Sequence, residues 1–240
     1  MKYFLFGISE LSRCMFMNLL QQRPNDFIGE DCDFLGFTVD SSHIGNCDWL
    51  DDLMKRPLLD GKFNKSNLRI LPFMKIMVNP HSLVRGIYLP IYDNKLRETK
   101  FKQAEEEMGL KPLTFVDKRA LVDEDVDLSN NKGSWIQAGT TIQTGSQLGN
   151  GVIFWANTHC GHSAKVSDFC FVSTNSTLCG NVEIAARNYV GVGVHIKEGV
   201  KITGTDNILG MGSIITKNIE TSGNTYLAGV NNLRKKDEAK

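Results

Sequence analysis

Apolar residues spaced six apart run through the second half of this chain. They are Ile136, Ile142, Leu148, Phe154, Cys160, Val166, Val172, Leu178, Ile184, Val190, Ile196, Ile202, Ile208 and Ile214. The period holds without a slip, and only Phe154 and Cys160 depart from Ile, Leu or Val. A helix repeats near 3.6 residues and a plain strand near 2. A strict six fits neither alone. It fits a chain that makes a short strand, turns a corner and repeats, which is the signature of a parallel β-helix.

The rest of each hexad agrees. Two residues before the rung, the side chain is small or β-branched: Thr140, Ser146, Val152, Thr158, Ala164, Ser176, Val182, Val194, Val200. Just after it lie Gly149, Gly161, Ser167, Ser173, Ala185 and Gly191. Side chains alternate across a strand, so the rung and its small partner point inward together. Three hexads close one triangular coil of eighteen residues, and coils stack about 4.8 Å apart. The triangle is too narrow for two large inward residues per side. Upstream, Val116, Val122 and Leu128 keep the spacing, and residues 129–135 insert two extra positions before Ile136.

Lys+Arg and Asp+Glu balance at 27 each in the 240 residues. No global basic field is present to recruit nucleic acid or anionic lipid. The cysteines Cys14, Cys32, Cys47, Cys160, Cys170 and Cys179 form no C-x-x-C pair, and Cys160 holds a rung where a buried apolar residue belongs. That reads as free thiols in a reducing cytoplasm. The N-terminal apolar run stops at Gly7 without a cleavage site, and no stretch approaches the roughly 18 apolar residues of a membrane span.

The first half reads as a small α/β domain. Residues 3–6 form a buried strand ending at Gly7, residues 11–20 carry apolar positions at helical spacing, and residues 34–40 form a second strand ending in Asp40. Against the dinucleotide fingerprint G-x-G-x-x-G, only Gly7 is present; Ser9 and Ser12 replace the other glycines. Bound NAD is not expected. A mononucleotide or sugar phosphate at that helix N-terminus stays open beside a plain glycine turn. Residues 41–85 are expected to be irregular, with a helix near 49–55. A third strand is expected at 86–91, then a helix over 95–109 capped by Asp93 or Asn94. Lys95, Arg97 and Lys100 in its first turns oppose the helix dipole and suggest a phosphate ligand, against a solvated face as the alternative. Residues 113–116 are expected to close the small sheet. The domains are therefore 1–112 and 113–240. The charged end at 234–238 is expected to be a frayed or helical solvated tail.

A β-helix interior performs no chemistry, so a site must use outward positions. His162 lies two residues after the Cys160 rung, facing outward near a corner. Eighteen residues on, one coil above, lies Gly180, where the backbone stays open to a ligand. Imidazole suits proton abstraction near neutral pH, and a backbone N–H suits a developing oxyanion. Base plus oxyanion donor is the requirement of acyl transfer. An ordinary surface histidine is the competing reading.

At these residues the chain resembles the hexapeptide-repeat acyltransferases. Within them it is similar to the sialic-acid O-acetyltransferase-like and nucleotide-sugar N-acetyltransferase group. The resemblance covers nearly the whole chain and rests on residues 92–97, 157–163, 176–180, Gly191-Val192-Gly193 and 227–230. It implies a small Rossmann-like α/β domain followed by a left-handed parallel β-helix, and a homotrimer binding acetyl-CoA between adjacent subunits. It implies His162 as catalytic base, and Gly180 as the glycine whose N–H meets the acetyl carbonyl. Cofactor contacts are expected at Gly180, Gly191, Gly193 and Gly229. Substrate contacts are expected at Gly7, Ser9, Asp40, Lys95 and Arg97. The implied activity is N-acetylation of a nucleotide-linked amino-deoxysugar in cytoplasmic surface-polysaccharide or lipopolysaccharide synthesis.

The chain departs from the group's pattern in two respects. Ser163 stands where many relatives carry an acid after the histidine, and Phe171 where a second histidine often follows. Either His159 or a carboxylate from elsewhere is then the expected support, or the enzyme needs less help; His159 is counted with the catalytic candidates. A sugar amine asks less of the base than a hydroxyl, which favours N- over O-acetylation. A zinc enzyme like the γ-type carbonic anhydrases is a distant alternative. His159 and His195 are two coils apart, about 9.6 Å, which is too far for one metal with ligands near about 2.1 Å. No metal is expected, and a non-catalytic β-helix scaffold is the remaining alternative.

Overall fold

The computed structural model describes residues 2–7, 9–22, 34–39, 69–72, 84–227 and 234–235. The expected helix at 49–55, Asp40 and Gly229 lie outside these. The chain divides into two compact units, one of Met1–Tyr92 with Thr99–Leu113 and one of Asp93–Glu98 with Thr114–Lys240.

The first unit is built on a parallel sheet. Its strands are β1 (Lys2–Phe6), β2 (Phe34–Val39), β3 (Arg69–Pro72), β4 (Val84–Tyr88) and β5 (Lys111–Pro112), in the order β3-β2-β1-β4-β5. Tyr3, Phe4, Leu5 and Phe6 are all buried. A continuous apolar run is what a central parallel strand needs, because both of its faces are covered. Helix α1 (Glu10–Gln22) follows β1 and buries Met15, Phe16, Leu19 and Leu20. Phe16 meets Phe34 and Phe37 with ring centroids 5.5 and 5.6 Å apart, and Tyr3 meets Tyr88 edge-on at 5.3 Å.

Two strands of this sheet differ from expectation. Strand β3 falls in the stretch expected to be irregular. Four residues flanked by Arg and Pro are too few to show a period, and the proline is tolerated because β3 sits at an edge. The other edge is Lys111–Pro112 rather than residues 113–116. Phe115–Val116 instead pairs with Trp135–Ile136 and opens the β-helix.

The second unit is a parallel β-helix with three faces. The first face stacks Trp135–Ile136, Ile153–Phe154, Phe171–Val172, Tyr189–Val190 and Ile208–Leu209. The second stacks Leu121–Val122, Thr141–Ile142, His159–Cys160, Thr177–Leu178, His195–Ile196 and Ile214–Ile215. The third stacks Gln147–Leu148, Lys165–Val166, Glu183–Ile184 and Lys201–Ile202. From Trp135 to Ile202 the paired residues are eighteen apart, as expected. Val116↔Ile136 and Val122↔Ile142 are twenty apart, which marks the two-residue insertion.

The interior is the expected mixture of large and small. Most rungs from Ile136 to Ile202 are fully buried, and so are Thr140, Thr158, Ala164, Ser176, Val182 and Val194. Inward hydroxyls satisfy themselves against backbone: Ser176 Oγ donates to Gly191 O at 2.7 Å, and Thr158 Oγ1 to Trp155 O at 3.0 Å. Cys160 and Cys170 are buried free thiols. Burial pushes each thiol pKa up to about 12, so both stay neutral and pack as small apolar groups.

The corners obey one backbone rule. The third residue after each rung has positive φ: Gly139, Gly145, Gly151, Asn157, Ser163, Phe169, Asn175, Asn181, Arg187, Gly193 and Gly199. Each amide there donates to the coil below, as in Asn157 N to Ala138 O at 3.0 Å and Ser163 N to Thr144 O at 2.9 Å.

The rule also exposes a break in the ladder. After Ile202 the next positive-φ corner residue is Asp206, one place late. Leu209 and Ile215 become the buried rungs at 0% exposure, while Ile208 and Ile214 turn outward at 45% and 59%. One extra residue at the corner 203–207 moves every later side chain to the other face, because the strand period is two. Unbroken Ile spacing hid this, since Ile208-Leu209 and Ile214-Ile215 offer an apolar residue in either register. The tail also differs: Arg234–Lys235 pairs antiparallel with Tyr226–Leu227.

Substitution tests the shifted register. Ile208→Lys should change unfolding free energy by no more than about 0.5 kcal/mol. Leu209→Ala should cost about 2–5 kcal/mol in urea denaturation. The reverse order would restore the unbroken ladder.

Candidate active site

His162 occupies the corner between the second and third faces, where its side chain is exposed. Its backbone is held from several sides. The amide donates to Gln143 Oε1 at 3.1 Å, and the carbonyl accepts from Asn181 N at 2.8 Å. Ser163, next in the chain, is the positive-φ corner residue. The imidazole lies against Gly180, one coil above. A Cβ built on Gly180 would collide with His162 Nε2 and lie 2.6 Å from Cε1 and 2.9 Å from Cδ2. Any side chain at 180 would therefore displace the ring. The eighteen-residue coil brings these two residues together, as their spacing predicts.

The other candidates are distributed differently. His159 is half-buried on the second face, and its Nδ1 lies 2.6 Å from Thr141 Oγ1, one coil below. Among the described residues nothing hydrogen-bonds the imidazole of His162, so neither His159 nor a described carboxylate supports it. Thr177 separates His159 from His195 on the second face. Among the described residues no three His, Cys, Asp or Glu side chains cluster to hold a metal ion.

Gly191 and Gly193 sit at the corner between the first and second faces, so they and Gly180 flank the same face. A Cβ at Gly191 would meet Leu209 O at 2.6 Å and Met211 N at 2.8 Å, and coil stacking alone explains that glycine. Gly193 has φ +64, with open space where a Cβ would be.

In the first unit, Gly7 has φ +85 and donates its amide to Thr38 O at 2.7 Å. Ser9 caps α1, its Oγ accepting from Ser12 N at 3.4 Å. Ser12, in the place of the fingerprint's last glycine, is buried and donates its hydroxyl to Phe6 O at 3.1 Å. The turn thus presents helix N–H groups beside an exposed Ser9.

Lys95 and Arg97 lie on helix α2 (Asn94–Lys102), which Asp93 caps through Leu96 N at 2.8 Å. The expectation that Arg97 contacts substrate is corrected by its position. Its side chain is fully buried and donates to Gly151 O at 2.8 Å, Phe169 O at 2.7 Å, Cys170 O at 3.2 Å and Asn94 Oδ1 at 2.8 Å. Asn94 Nδ2 donates to Arg187 O at 3.0 Å. Gly151, Phe169 and Arg187 are successive positive-φ residues of one corner, so their carbonyls form a column that the first turns of α2 grip. Desolvation lowers the Arg97 pKa to about 9, which leaves it charged at neutral pH.

Beside it, Arg187 pairs with Asp206 through two bonds, at 2.9 and 3.0 Å, and with Glu98 at 3.2 Å. Lys95 Nζ lies 3.6 Å from Asp206 Oδ1. The sequence did carry a signal for this seam: Asn94, Arg97 and Glu98 share one helix face at i, i+3 and i+4.

Comparison with family sequence models finds no match. Solved structures do match, and they define the class of fold: an α/β unit followed by a left-handed parallel β-helix. One is the GDP-perosamine N-acetyltransferase of Caulobacter crescentus in complex with CoA and GDP-perosamine. It has a TM-score of 0.77 at 18% identity over 99% of this chain and 98% of that one. WeeI from Acinetobacter baumannii gives 0.69 at 18% identity over 98% and 99%. The acetyltransferase domain of PglB from Neisseria gonorrhoeae in complex with acetyl coenzyme A gives 0.68 at 17% identity over 94% and 95%. At such identities the likeness establishes the fold. A solenoid of opposite hand would not superpose along nearly the whole chain. Among the described residues no helix is long and apolar enough to cross a membrane.

Two stability measurements test the α2 seam. Arg97→Ala strands buried carbonyls and should cost about 3 kcal/mol in chemical denaturation. Asp206, held at about 2 mainly by its hydrogen bonds from Arg187, contributes stability above the ordinary carboxylate pKa and loses it as pH falls toward 2. Asp206→Asn should therefore destabilise by about 1 kcal/mol at pH 7, where solvent screens the pair, and by much less at pH 2.

Proposed function

We propose that the protein transfers the acetyl group of acetyl-CoA to the amino group of a nucleotide-linked amino-deoxysugar. The observation that carries this reading is the His162 imidazole lying against the backbone of Gly180. The named structural neighbours that bind CoA, acetyl coenzyme A or GDP-perosamine support it.

The sugar amine attacks the thioester carbonyl carbon while His162 takes the proton the nitrogen sheds. Negative charge on the carbonyl oxygen is met by the Gly180 amide. The intermediate collapses by breaking the C–S bond, and the proton passes from His162 to the departing thiolate. Amide and free CoA are the products, and the imidazole returns neutral. An amine nucleophile fits a histidine with no carboxylate on its ring among the described residues. A hydroxyl acceptor would need a stronger base.

In this reading acetyl-CoA runs along the second face between two β-helices of a homotrimer, touching Gly193 and Gly229. The turn at Gly7 and Ser9, with Asp40, takes the nucleotide of the sugar. Such a product serves surface-glycan assembly in the cytoplasm.

A thermal-shift screen of nucleotide-linked amino- and hydroxy-sugars, with and without acetyl-CoA, identifies the acceptor. With that acceptor, His162→Ala should lower turnover by about 10²–10⁴ while circular dichroism stays unchanged. Full activity in this variant, read as CoA thiol release, would remove His162 as the base. Turnover of hydroxy-sugars alone would replace N- by O-acetylation.

A further inference from the structure

Each hexad leaves one backbone amide outside the coil-to-coil hydrogen bonding: that of the residue two after the rung. At the His162 corner these residues stack as Thr144, His162, Gly180 and Glu198. The first two amides are claimed by side chains from one coil lower, each from the residue just after a rung. Asp123 Oδ2 accepts from Thr144 N at 2.7 Å, and Gln143 Oε1 accepts from His162 N at 3.1 Å. The next residue in that series is Gly161, which has no side chain to offer.

The consequence is geometric. A Cβ built on Gly161 would lie 2.7 Å from Gly180 N and 2.9 Å from Leu178 O. A side chain there would cover the Gly180 amide, and an Asp or Gln would accept its hydrogen bond as Asp123 and Gln143 do below. Among the described residues the Gly180 amide has no acceptor. It belongs to the same glycine whose Cβ position the His162 ring occupies.

Glycine recurs at the equivalent place at Gly149 and Gly191, close beneath Asp168 N and Met211 N. The residues one coil below those two amides, in the place of His162, are Asn150 and Val192. The amide of Glu198 is also without an acceptor among the described residues, but it stands a coil beyond Gly180.

We propose that Gly161 is a positioning residue: its missing side chain ends the series of amide caps one coil early and leaves the Gly180 N–H to a ligand carbonyl beside His162. This rests on the acetyl-transfer reading above and adds to it a residue that touches neither substrate. Ser167, Ser173 and Ala185 hold the same place in other hexads, whereas a Cβ at Gly161 would meet the backbone of the coil above, which must shift to admit it.

The test compares binding of acetyl-CoA with binding of CoA, which lacks the carbonyl, by calorimetry. Wild-type protein should prefer acetyl-CoA by about three- to tenfold, the effect of one neutral hydrogen bond. Gly161→Ala should bring the ratio near one, and Gly149→Ala, the same change away from the imidazole, should leave it at the wild-type value. A folded Gly161→Ala protein that keeps the wild-type preference overturns the proposal. Binding of neither compound overturns the acetyl-transfer reading itself, which separates the two failures.

Should Gly161→Ala not fold, wild-type protein labelled with [13C-carbonyl]cysteine and [15N]glycine supplies the readout. Only the Cys160–Gly161 and Cys179–Gly180 pairs give signals. The Gly180 amide proton should move downfield with acetyl-CoA and not with CoA. An equal response to both compounds also overturns the proposal.

Discussion

Everything in the larger unit depends on the backbone turning left-handed once every six residues. Non-glycine residues avoid that region because Cβ crowds the following carbonyl. Yet Asn157, Ser163, Phe169, Asn175, Asn181 and Arg187 all adopt it. What holds them is the ladder on either side. The strands from Trp135 to Ile202 are only two residues long, but those inside each face pair with a strand above and below in fixed register, and each corner amide bonds the coil beneath. Many individually weak parallel pairs thus over-determine a series of strained corners. Gly and Asn recur there because they bear the conformation at least cost.

The same corners organise what lies outside the core. Along one corner, the outward carbonyls of Gly151, Phe169 and Arg187 form a column that Asn94 and Arg97 fill. A buried guanidinium without a full carboxylate partner is costly unless its N–H groups are all met. Stacked carbonyls at one-coil spacing meet them, which explains how a residue that reads as a surface cation comes to lie inside. Along another corner, side-chain caps on successive amides stop at Gly161, beside His162, whose ring lies against Gly180 on the next coil.

Much of the site was legible because the solenoid turns sequence spacing into distance. His162 and Gly180 are eighteen residues apart and meet; His159 and His195 are thirty-six apart and do not. Arg97 was misread because helix position says nothing of what packs on it. The slip after Ile202 was hidden because two adjacent apolar residues at 208–209 and 214–215 satisfy either register. Strand β3 escaped because four residues ending in proline carry no period.

By itself, the sequence determined the coil: its length, its inward residues and the vertical alignment of His162 with Gly180, all consequences of a local period repeated many times. Only the tertiary structure decided which side chains face solvent after the one-residue insertion, that Arg97 belongs to the solenoid flank, and that no carboxylate among the described residues reaches the imidazole. Those outcomes depend on groups brought together from distant coils, and local periodicity does not encode which of them meet.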